Sequence, residues 1–286
     1  TVSEITAEMN PDDITADYVA KLRHTDINRI SLGVQSFNDG ALRLMNRRHT
    51  GSEAADAVKR LQDAGYENIT TDIIFGIESF GSDRLEQDIE QMLSLGVQHI
   101  SAYHLTIEPN TTFGRRLSRG EMREVAEDVS EREYALIHNV LTAAGYEHDE
   151  VSNYARAGFR SRHNSSYWRG AQYLGIGVGA HSYNGNQRRW SQQTVGEYCL
   201  SREYEVDELT ARDHLNEYIM TSLRCVEGLD MTQIAERFGA EHSARILAAS
   251  ERWIASGDIV VGDSHLKIPA QRFLISDAII ESLFEL

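Results

Sequence analysis

The chain has 286 residues, 41% of them apolar, which is enough for one large core or two smaller ones. Its formal net charge of −16 argues against nucleic acid as the main partner, because an acidic surface repels a phosphate backbone. No run approaches the about 20 apolar residues of a membrane span, and the first residues do not form a secretory signal. The two cysteines, Cys199 and Cys225, match no zinc or iron–sulfur spacing, so we expect a cytoplasmic protein with reduced thiols and no stable membrane insertion.

The first part of the chain alternates between strand-like and helix-like segments. Apolar, β-branched runs predict strands over Val2–Met9, Arg29–Val34, Ile69–Ile74 and His99–Ile107. Amphipathic stretches predict helices over Ala16–Leu22, Ala54–Ala64 and Leu85–Leu93. Such alternation predicts right-handed βαβ units and a parallel sheet, open or closed into a barrel.

Each of these four strands carries polar residues at or near its carboxyl end. In chain order they are Glu8 and Asn10, Gln35 and Ser36, Asp72, and finally His104, Thr106 and Glu108. Ligands bind at the carboxyl ends of the strands in parallel α/β folds, so the pattern predicts one site built from four strands. The alternative is that each residue caps a helix or solvates a loop.

A long helix is predicted from Arg123 to Tyr146, and an irregular segment follows it. This segment contains His163-Asn164-Ser165-Ser166-Tyr167-Trp168 and then a glycine-rich run, Gly175–His181. A loop of this kind can hold a flat, mostly apolar ring with a metal at its centre, because imidazole can ligate the metal and aromatic faces can pack on the ring. The alternative is that Tyr167 and Trp168 are core residues and His163 bonds a backbone carbonyl.

The C-terminal part forms a separate unit. Helices are predicted over Glu205–Cys225, Met231–Phe238, Ser243–Ser256 and Leu274–Phe284, with strands Asp258–Val261 and His265–Ile268 joined at Gly262-Asp263. This order is typical of a winged helix. However, residues 229–286 contain five Lys or Arg and nine Asp or Glu, whereas a DNA reader needs a basic face. A winged-helix DNA-binding regulator is therefore disfavoured, and we interpret the unit as a packing or lid domain.

Several segments resemble radical S-adenosylmethionine (SAM) proteins related to oxygen-independent coproporphyrinogen III oxidase. Arg29–Phe37 is similar to their fourth barrel strand, Glu4–Pro11 to the third, and Asn68–Gly76 and His99–Pro109 to the fifth and sixth. Tyr146–Trp168, Tyr173–Tyr183 and the C-terminal unit also resemble this family. The resemblance implies the last four strands of a six-stranded partial (β/α) barrel within residues 1–204, with the motif segment at 146–190, and a winged-helix-like domain over residues 205–286.

Within the family, the sequence resembles the HemW-type haem chaperones, whose HNxxYW signature matches His163–Trp168. The resemblance implies that His163, Asn164, Tyr167 and Trp168 bind haem, with His163 as the axial ligand and His181, His104 and His148 as alternatives. It also implies SAM contacts at Glu8, Gln35, Arg47, Asp72, Thr106 and His181. It further implies a haem-acceptor protein as partner. Radical decarboxylation of coproporphyrinogen III is the alternative activity.

The family's Cys-x3-Cys-x2-Cys loop, which holds a [4Fe–4S] cluster, has no counterpart in this sequence. We therefore expect a fragment of a longer protein that is inactive as an enzyme, with the cluster ligands outside it. We also expect the strand near Val2–Met9 to lie at an exposed sheet edge, through which a dimer could form.

Overall fold

The computed structural model describes residues 2–285. The chain divides into two compact units, Thr1–Arg162 and His163–Leu286. The boundary predicted between residues 204 and 205 falls inside the second unit and stays a prediction. Among the described residues, no helix has both the length and the apolar run that crossing a bilayer requires.

The first unit is built from six strands and six helices. They are β1 (Thr6–Met9), α1 (Ala16–Leu22), β2 (Arg29–Gln35), α2 (Asp39–Leu44), α3 (Gly51–Asp63), β3 (Ile69–Phe75), α4 (Gly81–Leu95), β4 (His99–His104), α5 (Thr112–Ser118), α6 (Glu127–Ala143), β5 (Glu147–Glu150) and β6 (Asn153–Ala155). The four predicted strands and the helices predicted between them are present, although β1 begins at Thr6 and not at Val2, and β4 ends at His104 and not at Ile107.

All six strands belong to one sheet with the order β1-β2-β3-β4-β6-β5. The first four are parallel neighbours, whereas β6 and β5 run antiparallel. Within the described chain β1 pairs only with β2, so the predicted edge strand is confirmed. Parallel order brings the carboxyl ends of β1 to β4 to the same edge of the sheet.

The core of this unit lies between the sheet and its helices. Ile30, Leu32 and Val34 alternate along β2 and are fully buried, and α3 packs against that strand. Burying each such side chain contributes about 1.5–3 kcal/mol. Helix α3 begins at Thr50, whose hydroxyl accepts from the amide of Glu53 while the Glu53 carboxylate accepts from the amide of Thr50. The apolar face of α3 packs the helix on β2, and the capping box fixes where the helix begins.

The second unit contains two small sheets and six helices. Its elements are α7 (Arg162–Trp168, which starts at the boundary), β7 (Ser182–Tyr183), β8 (Gln187–Trp190), α8 (Val195–Leu200), β9 (Glu205–Glu208), α9 (Ala211–Leu223), β10 (Leu229–Asp230), α10 (Met231–Phe238), α11 (Ala240–Ser256), β11 (Val260–Gly262), β12 (His265–Lys267) and α12 (Ser276–Glu281). The sheets have the orders β7-β8-β9 and β10-β12-β11, both antiparallel. The second sheet with α10 and α11 gives the predicted winged-helix-like arrangement.

Several predicted helices differ from the structure at their ends. The helix predicted from Arg123 to Tyr146 is α6, Glu127–Ala143, and the one predicted from Ser243 begins at Ala240. The helix predicted from Glu205 begins only at Ala211, because residues 205–208 pair with β8 and Thr210 caps the helix through Asp213. The last predicted helix is divided into a 3₁₀ segment, Ala270–Ile275, and α12. In the β11–β12 hairpin the turn lies one residue later than predicted, because Asp263 and Ser264 adopt the left-handed conformation.

Candidate functional site

The polar residues at the strand ends of the first unit lie on a common face of the sheet. Glu8 pairs in register with Ser31, and Asp72 pairs with Ser101. Register partners in a parallel ladder point to the same side, and alternate residues along a strand share a face. Glu8 and Asp72 therefore project from the same side of the sheet, two strands apart.

Gln35 and Arg47 meet above the end of β2. A Cβ atom on Gly33 would lie 2.9 Å from Nε2 of Gln35 and 3.8 Å from Nη2 of Arg47, so the absent side chain of Gly33 leaves room for both. Arg47 Nη1 also donates to Oδ1 of Asn10, at the end of β1, over 3.0 Å. Gln35 has a φ of 68° and follows an irregularity in the β2–β3 ladder. Strained backbone of this kind clusters at functional sites.

Asp72 is the electrostatic centre of this cluster. Burial raises the pKa of its carboxyl to about 6, opposed by a hydrogen bond from Ser101. The neighbouring Glu8 carboxylate raises the pKa further, whereas Arg29 and Arg47 lower it. The structure therefore brings together Glu8, Gln35, Arg47 and Asp72 as one polar edge, and we use that name for these four residues below.

Tyr103 of β4 belongs to the same face, and the sequence reasoning missed it. It keeps 42% of its surface exposed. Burial of the ring and the nearby Asp72 carboxylate raise the pKa of its phenol to about 12. Strand alternation gives the signal, because Tyr103 is two residues from Ser101 and four from His99.

His104 instead points to the helical side of the sheet. Its Nε2 lies 2.9 Å from the hydroxyl of Ser130 on α6, and its ring packs edge-on against Phe75. The prediction that His104 joins the other strand-end groups in one site is therefore wrong, since adjacent strand residues face opposite ways. Thr106 lies two residues beyond β4, exposed and outside regular secondary structure.

His148, the other alternative haem ligand in the first unit, is buried in β5. Its Nδ1 lies 2.8 Å from Nδ1 of His138, and its ring stacks on Tyr154 with centroids 4.0 Å apart. Burial and the neighbouring imidazole of His138 lower the pKa of His148 to about 3. These contacts leave it embedded in the core.

The motif His163–Trp168 lies within the short helix α7 and not in a loop as predicted. His163 and Tyr167 are one helical turn apart on the same side, and their rings meet edge-to-face with centroids 4.8 Å apart. Both residues are exposed, whereas Asn164 and Trp168 are half-buried. The indole N–H of Trp168 is buried without a hydrogen-bond partner. The helix thus presents the imidazole of His163 and the phenol of Tyr167 to solvent, whereas the indole N–H of Trp168 lies beneath the surface.

A chain of tyrosines connects α7 to the glycine-rich run of the second unit. Tyr167 meets Tyr173 edge-to-face at 4.8 Å, and Tyr173 pairs with Tyr183 through two backbone hydrogen bonds of 2.9 Å. His181, beside Tyr183, stacks on Trp190 with centroids 5.2 Å apart. Ile176 and Val178 within the run, and Leu174 directly before it, are exposed aliphatic residues. Imidazole, aromatic and aliphatic surface are therefore close together in sequence and partly in contact.

The two cysteines belong to the second unit, with Cys199 exposed and Cys225 half-buried. Between residues 2 and 285, the structure contains no group of three His, Cys, Asp or Glu arranged to hold a metal ion. The described residues therefore do not fit an iron–sulfur cluster. A single imidazole, as at His163, would suffice for a haem iron, because the porphyrin supplies four nitrogen ligands of its own.

Two family descriptions match separate parts of the sequence. Residues 2–95 match the radical SAM superfamily, and residues 209–271 match the HemN C-terminal domain. The first match covers the strands that carry Glu8, Gln35 and Asp72. The second covers α9 to α11 and the β11–β12 hairpin.

Curated relatives cover almost the whole chain. A protein named heme chaperone HemW from Mycobacterium tuberculosis (strain H37Rv) is 31% identical over 287 residues, covering 98% of this chain and 72% of the relative. Relatives of the same name from Lactococcus lactis and Bacillus subtilis are 35% and 33% identical, each covering 83% of this chain. The chain spans only 64% of the length of those two relatives. The chain is thus a radical SAM protein of the HemN-like type.

More narrowly, it belongs to the heme chaperone HemW family. Among solved structures, the chain matches the coproporphyrinogen III oxidase HemN of Escherichia coli with a TM-score of 0.81 at 20% identity, over 98% of this chain and 69% of that one. At this identity the match shows the fold alone. It confirms the predicted α/β fold with a parallel-dominated sheet of radical SAM type.

Proposed function

We propose that this chain is the haem-binding and SAM-binding part of a haem chaperone, which binds haem and passes it to an acceptor protein. The observation that carries the proposal is helix α7, where His163 stands exposed beside Tyr167 in a sequence that matches the family signature. The relatives' name, heme chaperone HemW, supports the same function.

Haem suits the surroundings of α7 chemically. The imidazole of His163 is of the type that ligates iron, and its contact with Tyr167 orients the ring. Tyr167 and Trp168 supply aromatic faces for a porphyrin. The exposed Leu174 and Ile176 add apolar surface close along the chain. Bound haem supplies only its iron and its flat ring, since the proposed function is transfer and not chemistry on the ring.

The polar edge suits SAM. The guanidinium of Arg47 can pair with the carboxylate of the methionine moiety. Glu8 and Asp72 can accept hydrogen bonds from the ammonium group or from the ribose hydroxyls, and Gln35 can donate or accept. Thr106 and His181 remain proposed SAM contacts on the family resemblance alone. The described residues contain no ligand set for the cluster that would activate SAM.

The haem proposal is tested by titrating haem into the purified protein and following the Soret band. We expect His163→Ala to abolish or strongly shift the band, whereas His24→Ala, an exposed histidine of the first unit, leaves it unchanged. His181→Ala tests the alternative ligand, because it should change the Soret band only if His181 binds the iron. A spectrum that His163→Ala leaves unaltered would move the ligand elsewhere.

We further propose a cytoplasmic location and a dimer formed through the exposed edge of β1. An unpaired edge offers a row of backbone donors and acceptors to another strand. Light scattering on this 286-residue chain tests the dimer. Thr6→Pro, which removes a backbone N–H that faces away from β2, should yield monomer if the edge is the contact.

A further inference from the structure

We propose that Arg84 and Asp88 of α4 act as positioning residues for the SAM site, by holding the carboxyl ends of β2 and β3 where Gln35 and Asp72 lie. Neither residue belongs to the polar edge. The proposal rests on the proposed SAM function of that edge. We call the pair the Arg84–Asp88 brace.

The carboxylate of Asp88 holds the turn that follows β2. Its Oδ2 accepts from the hydroxyl of Ser36 over 2.6 Å, and its Oδ1 accepts from the amide of Phe37 over 2.7 Å. These are the two residues directly after Gln35, whose φ of 68° is unfavourable for a residue with a side chain. Two short charge-assisted hydrogen bonds therefore fix the chain at the point where Gln35 must be held against its preference.

The guanidinium of Arg84 extends the brace to β3. Its Nη1 donates to the carbonyl oxygen of Ile74 over 3.0 Å and to Oδ2 of Asp88 over 2.9 Å. Ile74 lies two residues after Asp72 on the same strand. One nitrogen thus links the strand that carries Asp72 to the carboxylate that fixes Gln35.

The burial of the brace indicates that it positions the strand ends and does not mainly stabilise the fold. Arg84, Asp88 and Ser36 are 4%, 1% and 0% exposed. Nε and Nη2 of Arg84 are buried without partners, so the pair is an expensive way to stabilise a fold. An apolar pair of similar volume would fill the same space, but it could not bond two strand ends at once. The relative placement of Gln35 and Asp72 is what the brace supplies.

The test measures SAM affinity on the full-length protein with its cluster reconstituted. Asp88→Asn keeps the volume, but its Nδ2 cannot accept from Ser36 or Arg84. Ile89→Val, on the next residue of α4 and equally buried, is the control for a general loss of packing. We expect Asp88→Asn to weaken SAM binding about tenfold, as loss of an outer-shell partner does at metal sites, and Ile89→Val less than about twofold. Equal affinities for the two variants at matched urea stability would overturn the proposal.

A second measurement separates failure of the brace from failure of the SAM proposal. The amide of Phe37 should exchange with deuterium at least about tenfold faster in Asp88→Asn than in Ile89→Val, because its acceptor Oδ1 loses its negative charge and the side chain loses the bonds to Ser36 and Arg84 that hold it in place. If the unaltered protein does not bind SAM, the SAM proposal fails and this exchange rate alone judges the brace. Unchanged Phe37 protection would then refute it.

If Asp88→Asn fails to fold, Ser36→Ala takes its place. That variant removes the hydrogen bond from Ser36 to Asp88 and the one that Ser36 Oγ accepts from the amide of Asn38, and it leaves the Arg84–Asp88 ion pair intact. The expected loss of SAM affinity is then smaller, about threefold, and no loss would contradict the proposal.

Discussion

The Nδ1 atoms of His138 and His148 lie 2.8 Å apart between α6 and β5. At this distance one Nδ1–H donates a hydrogen bond to the other Nδ1, which therefore carries no proton. Burial lowers the pKa of both histidines, with His148 at about 3 and the His138 ring adding to the effect. Tyr134 and Tyr154 pack on His148 and offer no compensating negative charge at neutral pH.

This pair predicts a loss of stability in mild acid. The unfolded chain binds a proton at His148 near pH 6.5, whereas the folded chain resists protonation until about pH 3. Between these values the unfolded state holds more protons, so the free energy of unfolding falls as the pH falls, by up to about 1.4 kcal/mol per pH unit. Urea unfolding from pH 7.5 to 4.5 should show a shallower pH slope for His148→Phe than for the unaltered protein. His24→Gln, at an exposed site, should keep the original slope.

Gln35 allows backbone strain to be separated from ligand contact. Gln35→Gly and Gln35→Val both remove the amide, but only Val is disfavoured at a φ of 68°. We expect Gln35→Gly to unfold within about 1 kcal/mol of the unaltered protein and Gln35→Val to lose roughly 1–3 kcal/mol. Both should lose SAM affinity. Chemical denaturation and SAM titration measure the two effects, and SAM binding retained by Gln35→Gly would remove Gln35 from the site.

A methyl group at Gly33 should leave the stability of the fold unchanged but weaken SAM binding. In Gly33→Ala the new Cβ would lie 2.9 Å from Nε2 of Gln35, which a flexible side chain relieves by moving away. We expect a nearly unchanged melting temperature and a several-fold weaker SAM affinity. Gly51→Ala is the contrast, because its Cβ would lie 2.0 Å from the backbone oxygen of Phe37 and should destabilise the fold by more than about 2 kcal/mol. Equal melting temperatures for the two variants would contradict this account.

Asp230 should stabilise α10 as its N-cap. Its Oδ1 accepts from the amides of Thr232 and Gln233 over 2.9 and 3.2 Å. Asp230→Ala should cost about 1 kcal/mol, whereas Asp230→Asn retains most of the cap. Hydrogen exchange at the two amides gives the most direct measurement, and equal rates in both variants would argue against the cap.

The sequence predicts the parallel half of the fold well, because its strands are β-branched and its helices have a clear 3.6-residue period. Asp72 and Gln35 could be placed at strand ends for the same reason. The sequence predicts less well which residue of β4 faces the polar edge. Strand alternation favours Tyr103, whereas the prediction named His104. That error came from residue type, as histidine is the more familiar ligand.

Other features depend on contacts that no local pattern reveals. Asp88 and Ser36 are 52 positions apart, and nothing in the period of α4 marks Asp88 as other than a polar helix residue. Helix α7 was interpreted as a loop because it is only seven residues long and its sequence is polar and aromatic. The strand Glu205–Glu208 is fully exposed, so it lacks the apolar alternation that identifies a strand.

In the proposed haem complex, the exposure of His163 on α7 would affect how fast haem leaves. A ligand bound to a surface helix is released by breaking its own bonds, without the opening of a packed core that a buried imidazole such as His148 would require. The barrier to departure is then set locally, so an approaching partner could lower it by competing for the iron alone. A protein that must give its cargo away gains more from such a short residence time than from the tightest possible affinity.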